Sequence, residues 1–183
     1  MEPLTPTTLL DFFHRLGERY AGAGDIYLLG GSALCLLGST RQTQDIDYTF
    51  QVEADTGERF LTTLKNLAAE AHLDVEQVPL AEFIPLPPRA QERRRLIRRF
   101  GQLNIYIFDL YSIALSKIAR GFEADLEDVE FLLGHELIEF AELERLFQAI
   151  LPRTATFDID PKEYQGYFGE IHRRIGARDQ TTT

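Results

Sequence analysis

Two short motifs, separated by twelve residues, contain side chains that could act on phosphate groups: Gly30-Gly31-Ser32 and Asp45-Ile46-Asp47. Residues two apart on a strand point to the same side, so Asp45 and Asp47 project together while Ile46 points away. Two carboxylates this close repel each other unless a cation lies between them. Mg²⁺ suits such oxygen ligands, because it takes one or two carboxylates and completes its shell with water and phosphate oxygens. The pair therefore predicts a magnesium site.

The glycine-serine motif predicts a phosphate-binding turn between a strand and a helix. Such a turn presents backbone N–H groups to an anion, and Ser32 adds a hydroxyl group. Glycine at positions 30 and 31 lets the backbone approach a ligand without a Cβ atom in the way. We expect Gly30, Gly31 and Ser32 to bind phosphates whose charge the metal neutralises.

A second Asp-Ile-Asp triplet, residues 158–160, shows that the triplet alone is weak evidence in a chain with 29 acidic residues. No glycine-serine turn precedes this copy. Asp160 is followed by Pro161, which is typical of a helix N-cap with proline at the first helical position. Only the first copy is therefore predicted to be a site.

The elements around the motifs follow from the spacing of apolar residues. Helical spacing or β-rich alternation predicts strands at 25–29, 45–50, 73–78 and 103–108, and helices at 8–20, 32–37, 55–71, 110–119, 126–133, 140–151 and from 160 onwards. Four prolines between 79 and 88 exclude regular structure from much of that stretch. The order predicts an α+β fold, with a core at 1–109 and an all-helical part at 110–183.

Two sets of residues resemble known nucleotidyltransferases. Gly31-Ser32 followed by Asp45-x-Asp47 resembles the signature of the DNA polymerase β-type nucleotidyltransferase superfamily. Residues 110–120 (LYSIALSKIAR), followed by Asp125-Leu126-Glu127-Asp128-Val129, are similar to the small AbiE-like toxin nucleotidyltransferases and related uncharacterised families. The resemblance covers roughly residues 27–133. It implies a mixed sheet flanked by helices, and magnesium-dependent transfer of a nucleoside monophosphate from a nucleoside triphosphate.

The resemblance also implies a third carboxylate on a later core strand, which would complete the metal site or activate the attacking hydroxyl group. Asp109 follows the strand predicted at 103–108 and is the natural choice. An aspartate directly before Leu110 is equally an ordinary helix N-cap. Both roles of Asp109 stay open.

Three further residues are assigned to nucleotide binding, each with an ordinary alternative. In the AbiE-like group a lysine on the helix after the core contacts the triphosphate, which points to Lys117; the alternative is a solvent-facing lysine. Asp128 belongs either to the site or to the first turn of a helix, where the dipole favours an acid. Arg41 either reaches phosphate from the loop before Asp45 or is a solvated loop residue.

Six arginines lie between positions 89 and 99 of a chain with a net charge of -10. The overall charge opposes general binding to nucleic acid, whereas a local basic segment favours a defined polyanion. We expect this segment to be an exposed helix or a flexible loop. An RNA acceptor such as a tRNA end would use it, whereas a protein acceptor, including a cognate antitoxin, would not. The arginines are Arg89, Arg93, Arg94, Arg95, Arg98 and Arg99.

Composition excludes several other classes. Hydrophobic residues are 44% of the chain and charged residues 26%, as in soluble globular proteins. The chain lacks an apolar run of about 20 residues and a signal peptide, so we expect a cytoplasmic protein with no membrane partner. The single cysteine, Cys35, excludes disulfides and a cysteine-rich zinc site.

Two rival functions come from other classes of protein. One is a non-catalytic, nucleotidyltransferase-like module that binds a nucleotide or a partner protein. The intact pair of Asp45 and Asp47 disfavours this rival, since a binding module need not retain both. The other is an RNA-binding adaptor that acts through residues 89–99, which the net charge of -10 disfavours.

Overall fold

The computed structural model describes residues 3–53 and 55–179, and the chain divides into two units. The first unit comprises Met1–Val78 and Arg94–Phe108, and the second comprises Pro79–Arg93 and Asp109–Thr183. A mixed sheet with helices forms the first unit, and the regular structure of the second is helical. The predicted α+β fold class is confirmed.

The sheet of the first unit has five strands. They are β1 (Gly24–Leu28), β2 (Asp45–Val52), β3 (Asp74–Gln77), β4 (Arg95–Phe100) and β5 (Leu103–Ile107). They lie in the order β3-β2-β1-β5-β4, with β1 antiparallel to β2 and parallel to β5. Strands β2 and β3 are parallel, and β4 and β5 form an antiparallel hairpin.

One face of the sheet forms the core of the first unit. Helices α1 (Pro6–Arg19) and α3 (Gly57–Ala71) pack on this face. The ring of Phe50 on β2 lies 4.6 Å from that of Phe60 on α3, and the ring of Phe100 on β4 lies 5.5 Å from that of His14 on α1. Alternation along the strands therefore leaves the other side chains on the opposite face.

We call that opposite surface the polar face. Paired residues of neighbouring strands share a face, so the register of the sheet defines its members. They are Asp25 and Tyr27 on β1, Asp45, Asp47, Thr49 and Gln51 on β2, Leu96 and Arg99 on β4, and Asn104 and Tyr106 on β5. The predicted catalytic strand thus presents its carboxylates on the side away from α1 and α3.

Strand β4 corrects the prediction that residues 89–99 form a helix or a flexible loop. A short 3-10 helix, Ala90–Arg93, precedes the strand. An edge strand pairs on one side only, and this one carries a register irregularity between Leu96 and Arg98. Its sequence therefore lacks strict alternation, which hid it. The two-residue turn at Gly101 and Gln102 was the available signal, because Gly101 has the positive φ (+59°) that such hairpins favour.

Helix α2 (Gly30–Leu36) also belongs to the first unit, and the α-helices after Val78 belong to the second. They are α4 (Leu80–Phe83), α5 (Leu110–Arg120), α6 (Glu123–Gly134), α7 (Phe140–Ile150) and α8 (Pro161–Asp179), with a second 3-10 helix at Leu151–Phe157. Helix α4 shows that the proline-rich stretch still allows one short helical turn. The Asp160 carboxylate accepts hydrogen bonds from the backbone N–H groups of Lys162 and Glu163, which confirms it as a cap. In the described part of the chain, no helix has the length and apolarity needed to cross a bilayer.

Candidate nucleotide and metal site

The turn after β1 brings the two sequence motifs into contact. Gly30 begins helix α2 (Gly30–Leu36) with a φ of +50°, a conformation that favours glycine. A Cβ atom built on Gly30 would collide with Oδ2 of Asp47. The carboxylate of Asp47 therefore lies directly against the backbone of the glycine-serine turn.

Ser32 holds this turn against β2. Its side chain is fully buried, and its hydroxyl group donates towards the carbonyl oxygens of Leu29 (2.9 Å) and Asp47 (3.2 Å). The backbone N–H of Leu29 also donates to the carbonyl of Asp47, at 3.0 Å. These bonds fix the turn relative to the carboxylate strand. The hydroxyl group that the sequence assigns to phosphate is thus engaged with the main chain.

Asp45 and Asp47 lie at the beginning of β2, on the polar face. Asp45 is exposed and Asp47 is half-buried, whereas Ile46 between them is 1% exposed. The parallel pairing with β3 places Asp74 beside Asp45 and Glu76 beside Asp47. Within the described residues, no group of three or more His, Cys, Asp or Glu side chains is arranged to hold a metal ion. Asp45 and Asp47 thus lie on one face of β2, as the sequence predicts, with two further acids on the neighbouring strand.

The acidic residues of β3 were not predicted as neighbours of the carboxylate pair. Sequence shows that both strands begin with an acid and that a helix separates them, but not that the two strands are neighbours in the sheet. Their negative charge raises the attraction of this end of the sheet for a cation. A helix that connects two strands is typical of parallel neighbours. Helix α3 between β2 and β3 was therefore the feature that could have placed Asp74 beside Asp45.

The loop before β2 lies over the glycine-serine turn. A Cβ atom at Gly31 would stand 2.6 Å from Oγ1 of Thr43, so the loop packs closely on this glycine. The carbonyl of Thr43 in turn accepts a hydrogen bond from the backbone N–H of Leu4, at 2.9 Å. Arg41 is exposed in this loop, and its backbone N–H donates to the hydroxyl group of Ser39. Arg41 therefore lies in the loop that packs on Gly31.

In the second unit, Asp109 is a buried helix N-cap with an ionic partner. Its carboxylate accepts hydrogen bonds from the backbone N–H groups of Tyr111 and Ser112 and from the Ser112 hydroxyl group. Arg93 donates to both carboxylate oxygens, at 2.7 and 2.6 Å. This bidentate pair raises the pKa of Arg93. The N-cap alternative is therefore realised, and the carboxylate is fully engaged.

Lys117 lies in a buried ionic cluster between α5 and α6. Its side chain is 1% exposed, and its ammonium group donates to Asp128 at 2.7 Å and to Asp125 at 3.1 Å. Arg120 adds a 2.6 Å hydrogen bond to Asp125. The alternative interpretation, a solvent-facing lysine, is therefore wrong. The helix pattern could not show this, because the two acids that surround the ammonium group come from the next helix.

The six arginines of residues 89–99 do not act as one group. Arg89 pairs with Glu92, and Arg93 pairs with Asp109. Arg94 donates to the Tyr27 hydroxyl group, and Arg99 donates to the amide oxygen of Asn104. Arg95 and Arg98 are exposed on the edge strand β4. A run of like charges in sequence is thus distributed over separate partners.

Gly30 and Gly38 offer a matched test of the contact between the turn and Asp47. Both have a positive φ, but a Cβ atom at Gly38 meets nothing within 4 Å. We expect Gly38→Ala to lower the free energy of unfolding by about 1–2 kcal/mol, the cost of a left-handed alanine. Gly30→Ala should cost more and should weaken Mn²⁺ binding, because the methyl group displaces the Asp47 carboxylate. Urea unfolding and calorimetric titration with Mn²⁺ measure both effects; equal losses in the two variants would contradict the contact.

Comparison with protein-family models matches residues 8–165 to a family described as "Nucleotidyltransferase of unknown function (DUF6036)". The matched range includes the glycine-serine turn, the carboxylate pair and the cluster around Lys117. A search of curated proteins and a search of solved structures found no match.

Proposed function

The chain belongs to this family of nucleotidyltransferases of unknown function, and on that premise we propose that it transfers a nucleoside monophosphate from a nucleoside triphosphate to an acceptor, in a magnesium-dependent reaction. The observation that carries the proposal is the contact between Gly30 and the Asp47 carboxylate. A phosphate group at the turn would lie beside the metal ligands, as phosphoryl chemistry requires.

The residues at the start of β2 fit a magnesium ion. Asp45 and Asp47 supply hard oxygen ligands on one face, and the exposure of Asp45 leaves room for water. Mg²⁺ is commonly bound by one or two carboxylates and keeps water and phosphate oxygens as its other ligands. The bound ion would screen the phosphate charge and stabilise the leaving pyrophosphate.

The residues of the turn would bind and orient the triphosphate. We assign the β and γ phosphates to Gly31 and Ser32, chiefly through their backbone N–H groups, because the Ser32 hydroxyl group holds the main chain. Arg41, exposed in the adjacent loop, is the residue we assign to charge compensation. The acceptor hydroxyl oxygen would attack the α-phosphorus, its bond forming as the bond to pyrophosphate breaks. The hydroxyl proton would pass to solvent water at the exposed start of β2, beside Asp45.

We propose that Asp109, Lys117 and Asp128 position helices and do not contact the metal or the triphosphate directly. A role for Asp109 as proton acceptor or metal ligand requires its bidentate pair with Arg93 to open. A direct contact of Lys117 with triphosphate likewise requires its ion pair with Asp128 to open. In the closed arrangement these residues fix α5 and α6, so we assign them to positioning.

The spacing of Lys117, Asp125 and Asp128 supports a finer proposal, an AbiE-like toxin whose activity an antitoxin restrains. The acceptor in that case is an RNA, such as a tRNA end, or a protein hydroxyl group. The rival non-catalytic module would bind the triphosphate without consuming it. Product formation separates the two functions.

The test is transfer of label from each of the four α-³²P nucleoside triphosphates to total cellular RNA or protein. We expect one or more of them to label one acceptor class, with loss of label on chelation of magnesium and no transfer from the γ-labelled form. Saturable triphosphate binding with no labelled product from any of the four would favour the non-catalytic module instead.

A further inference from the structure

A cavity of about 560 Å³ opens at the end of the sheet where β1 and β5 begin and β2 and β4 end. It lies at the end of the polar face opposite to Asp45 and Asp47. The side chains of its wall are mostly polar: Asp25, Gln51, Glu53, Arg99, Gln102 and Asn104. The volume falls within the range of small-molecule sites, and convergent polar groups are typical of them.

A chain of hydrogen bonds holds the wall of this cavity in place. Arg99 donates to the amide oxygen of Asn104 at 2.7 Å, and the amide nitrogen of Asn104 donates to Asp25 at 2.7 Å. The Tyr27 hydroxyl group donates to the other oxygen of Asp25, at 3.3 Å. Burial, followed by the charge of Asp25, raises the pKa of Tyr27, so this phenol keeps the proton it donates. The polar groups are therefore organised before a ligand arrives.

Aromatic and cationic groups continue the surface beside the cavity. The half-buried ring of Tyr106 stacks on the buried ring of Tyr27, with centroids 5.4 Å apart, and the exposed Arg94 has its guanidinium group 4.9 Å from the centre of the Tyr106 ring. Leu96, opposite Tyr106 in the register, is 57% exposed. Aromatic rings and arginine planes are the groups on which unpaired bases stack.

The charge of the wall indicates the kind of ligand. Asp25 and Glu53 outnumber Arg99 within the cavity, which disfavours a phosphate there. The amides of Gln51, Gln102 and Asn104 combine donors and acceptors, as does the edge of a nucleobase. Positive charge lies just outside the cavity, at the exposed Arg94 and along β4.

We propose that this cavity binds an unpaired nucleobase of an RNA acceptor, with the neighbouring phosphates of the RNA outside the cavity, near Arg94. Gln51 lies four residues after Asp47 on the same face of β2, about 14 Å away at the rise of a strand. An RNA end held in the cavity would extend along the polar face towards the carboxylate pair. The inference rests on the nucleotidyl transfer proposed above, and it assigns the acceptor of that reaction.

Binding of short RNA tests the proposal without relying on catalysis. The probes are fluorescein-labelled oligo(A), oligo(C) and oligo(U) of about ten nucleotides, a common site size for single strands, and an abasic strand of the same length. We expect at least one of the base-bearing strands to bind wild-type protein about tenfold more tightly than the abasic strand, at fixed salt. Fluorescence anisotropy measures each dissociation constant.

The variants are Asn104→Ala and Gln51→Ala, with Gln148→Ala on α7 as the matched control. Because Asn104 also holds Asp25, the exposed Gln51 provides a variant that leaves the hydrogen-bond chain intact. We expect both to lose most of the preference for base-bearing RNA, while binding of a fluorescent nucleoside triphosphate stays within about twofold. Gln148→Ala should behave as wild type.

The other results of these binding measurements distinguish the RNA proposal from its alternatives. Weaker triphosphate binding with unchanged RNA binding would assign the cavity to the base of the triphosphate and overturn the RNA proposal. Equal binding of abasic and base-bearing strands would overturn it as well. Transfer of label to protein, without RNA binding, would overturn the RNA proposal but would still support the transferase activity. Base-selective RNA binding without transfer of label would contradict the proposed transferase activity, and the cavity would still be an RNA-binding site.

Discussion

Asp47→Asn is expected to reduce nucleotidyl transfer by about 10²–10³-fold or more, the scale of losing one preorganised electrostatic group. Asparagine keeps the shape of the side chain but removes the charge that attracts magnesium. The carboxylate that lies against Gly30 is replaced by an amide, so the turn no longer faces a metal ligand. Initial rates with α-labelled triphosphate, at saturating magnesium, measure the loss.

The fold should survive this substitution. Removing one of two neighbouring negative charges relieves repulsion in the metal-free protein, where Asp74 and Glu76 add to the negative charge. We therefore expect the thermal midpoint without metal to stay the same or to rise slightly. Addition of Mg²⁺ should stabilise wild type and leave Asp47→Asn unchanged, because a ligand stabilises only the form that binds it.

The second Asp-Ile-Asp triplet provides the matched control. Asp158 has a φ of +54° at the end of a 3-10 helix, and asparagine adopts this conformation readily. Asp158→Asn should therefore keep full activity and the full response to Mg²⁺. Wild-type activity in Asp47→Asn, with the control also unaffected, would rule out the metal site on β2.

The sequence predicted those parts of the fold whose pattern is local. Strands β1, β2 and β5 and helices α5, α7 and α8 follow apolar periodicity with clear ends, and the structure places them within a few residues of the predicted bounds. The relation between the two motifs was also predictable. Glycines after a buried strand allow a tight turn, and alternation on the next strand places both acids on one face; the structure brings Asp47 against Gly30.

The parts that sequence could not predict depend on contacts between distant residues. Strand β4 is an edge strand in which Phe100 alone is buried and whose register is irregular between Leu96 and Arg98, so apolar alternation does not mark it in the sequence. Arg93 and Arg94 are adjacent in sequence, yet one pairs with Asp109 and the other stacks on Tyr106. Which arginine pairs with which partner depends on the tertiary structure.

The same limit applies to the candidate site. A serine beside glycines predicts a phosphate contact on chemistry alone, but the buried hydroxyl group of Ser32 satisfies two main-chain carbonyls. The cavity on the polar face combines residues from four strands of the sheet, and no spacing in the sequence relates Asp25 to Asn104. Sequence thus identified the groups that we propose for metal and phosphate binding, whereas the proposed acceptor surface required the sheet register.

Lys117→Met is expected to destabilise the protein by about 3–5 kcal/mol, the cost of leaving a buried charge without its partner. Asp128 is 2% exposed and Asp125 is 5% exposed, so water cannot replace the ammonium group. Arg120 still reaches Asp125, which leaves Asp128 as the main source of the loss. Urea unfolding of the variant and of wild type measures the difference.

The double variant Lys117→Met, Asp128→Asn separates the two roles of the lysine. Neutralising Asp128 removes the uncompensated charge, so most of the lost stability should return, as a non-additive effect of residues in contact. If Lys117 only braces α5 against α6, label transfer returns together with stability. If its charge acts on the triphosphate, the double variant is stable but inactive, and its triphosphate affinity stays low. Because the ammonium group already donates to two buried carboxylates, we expect recovery of transfer in the stable double variant.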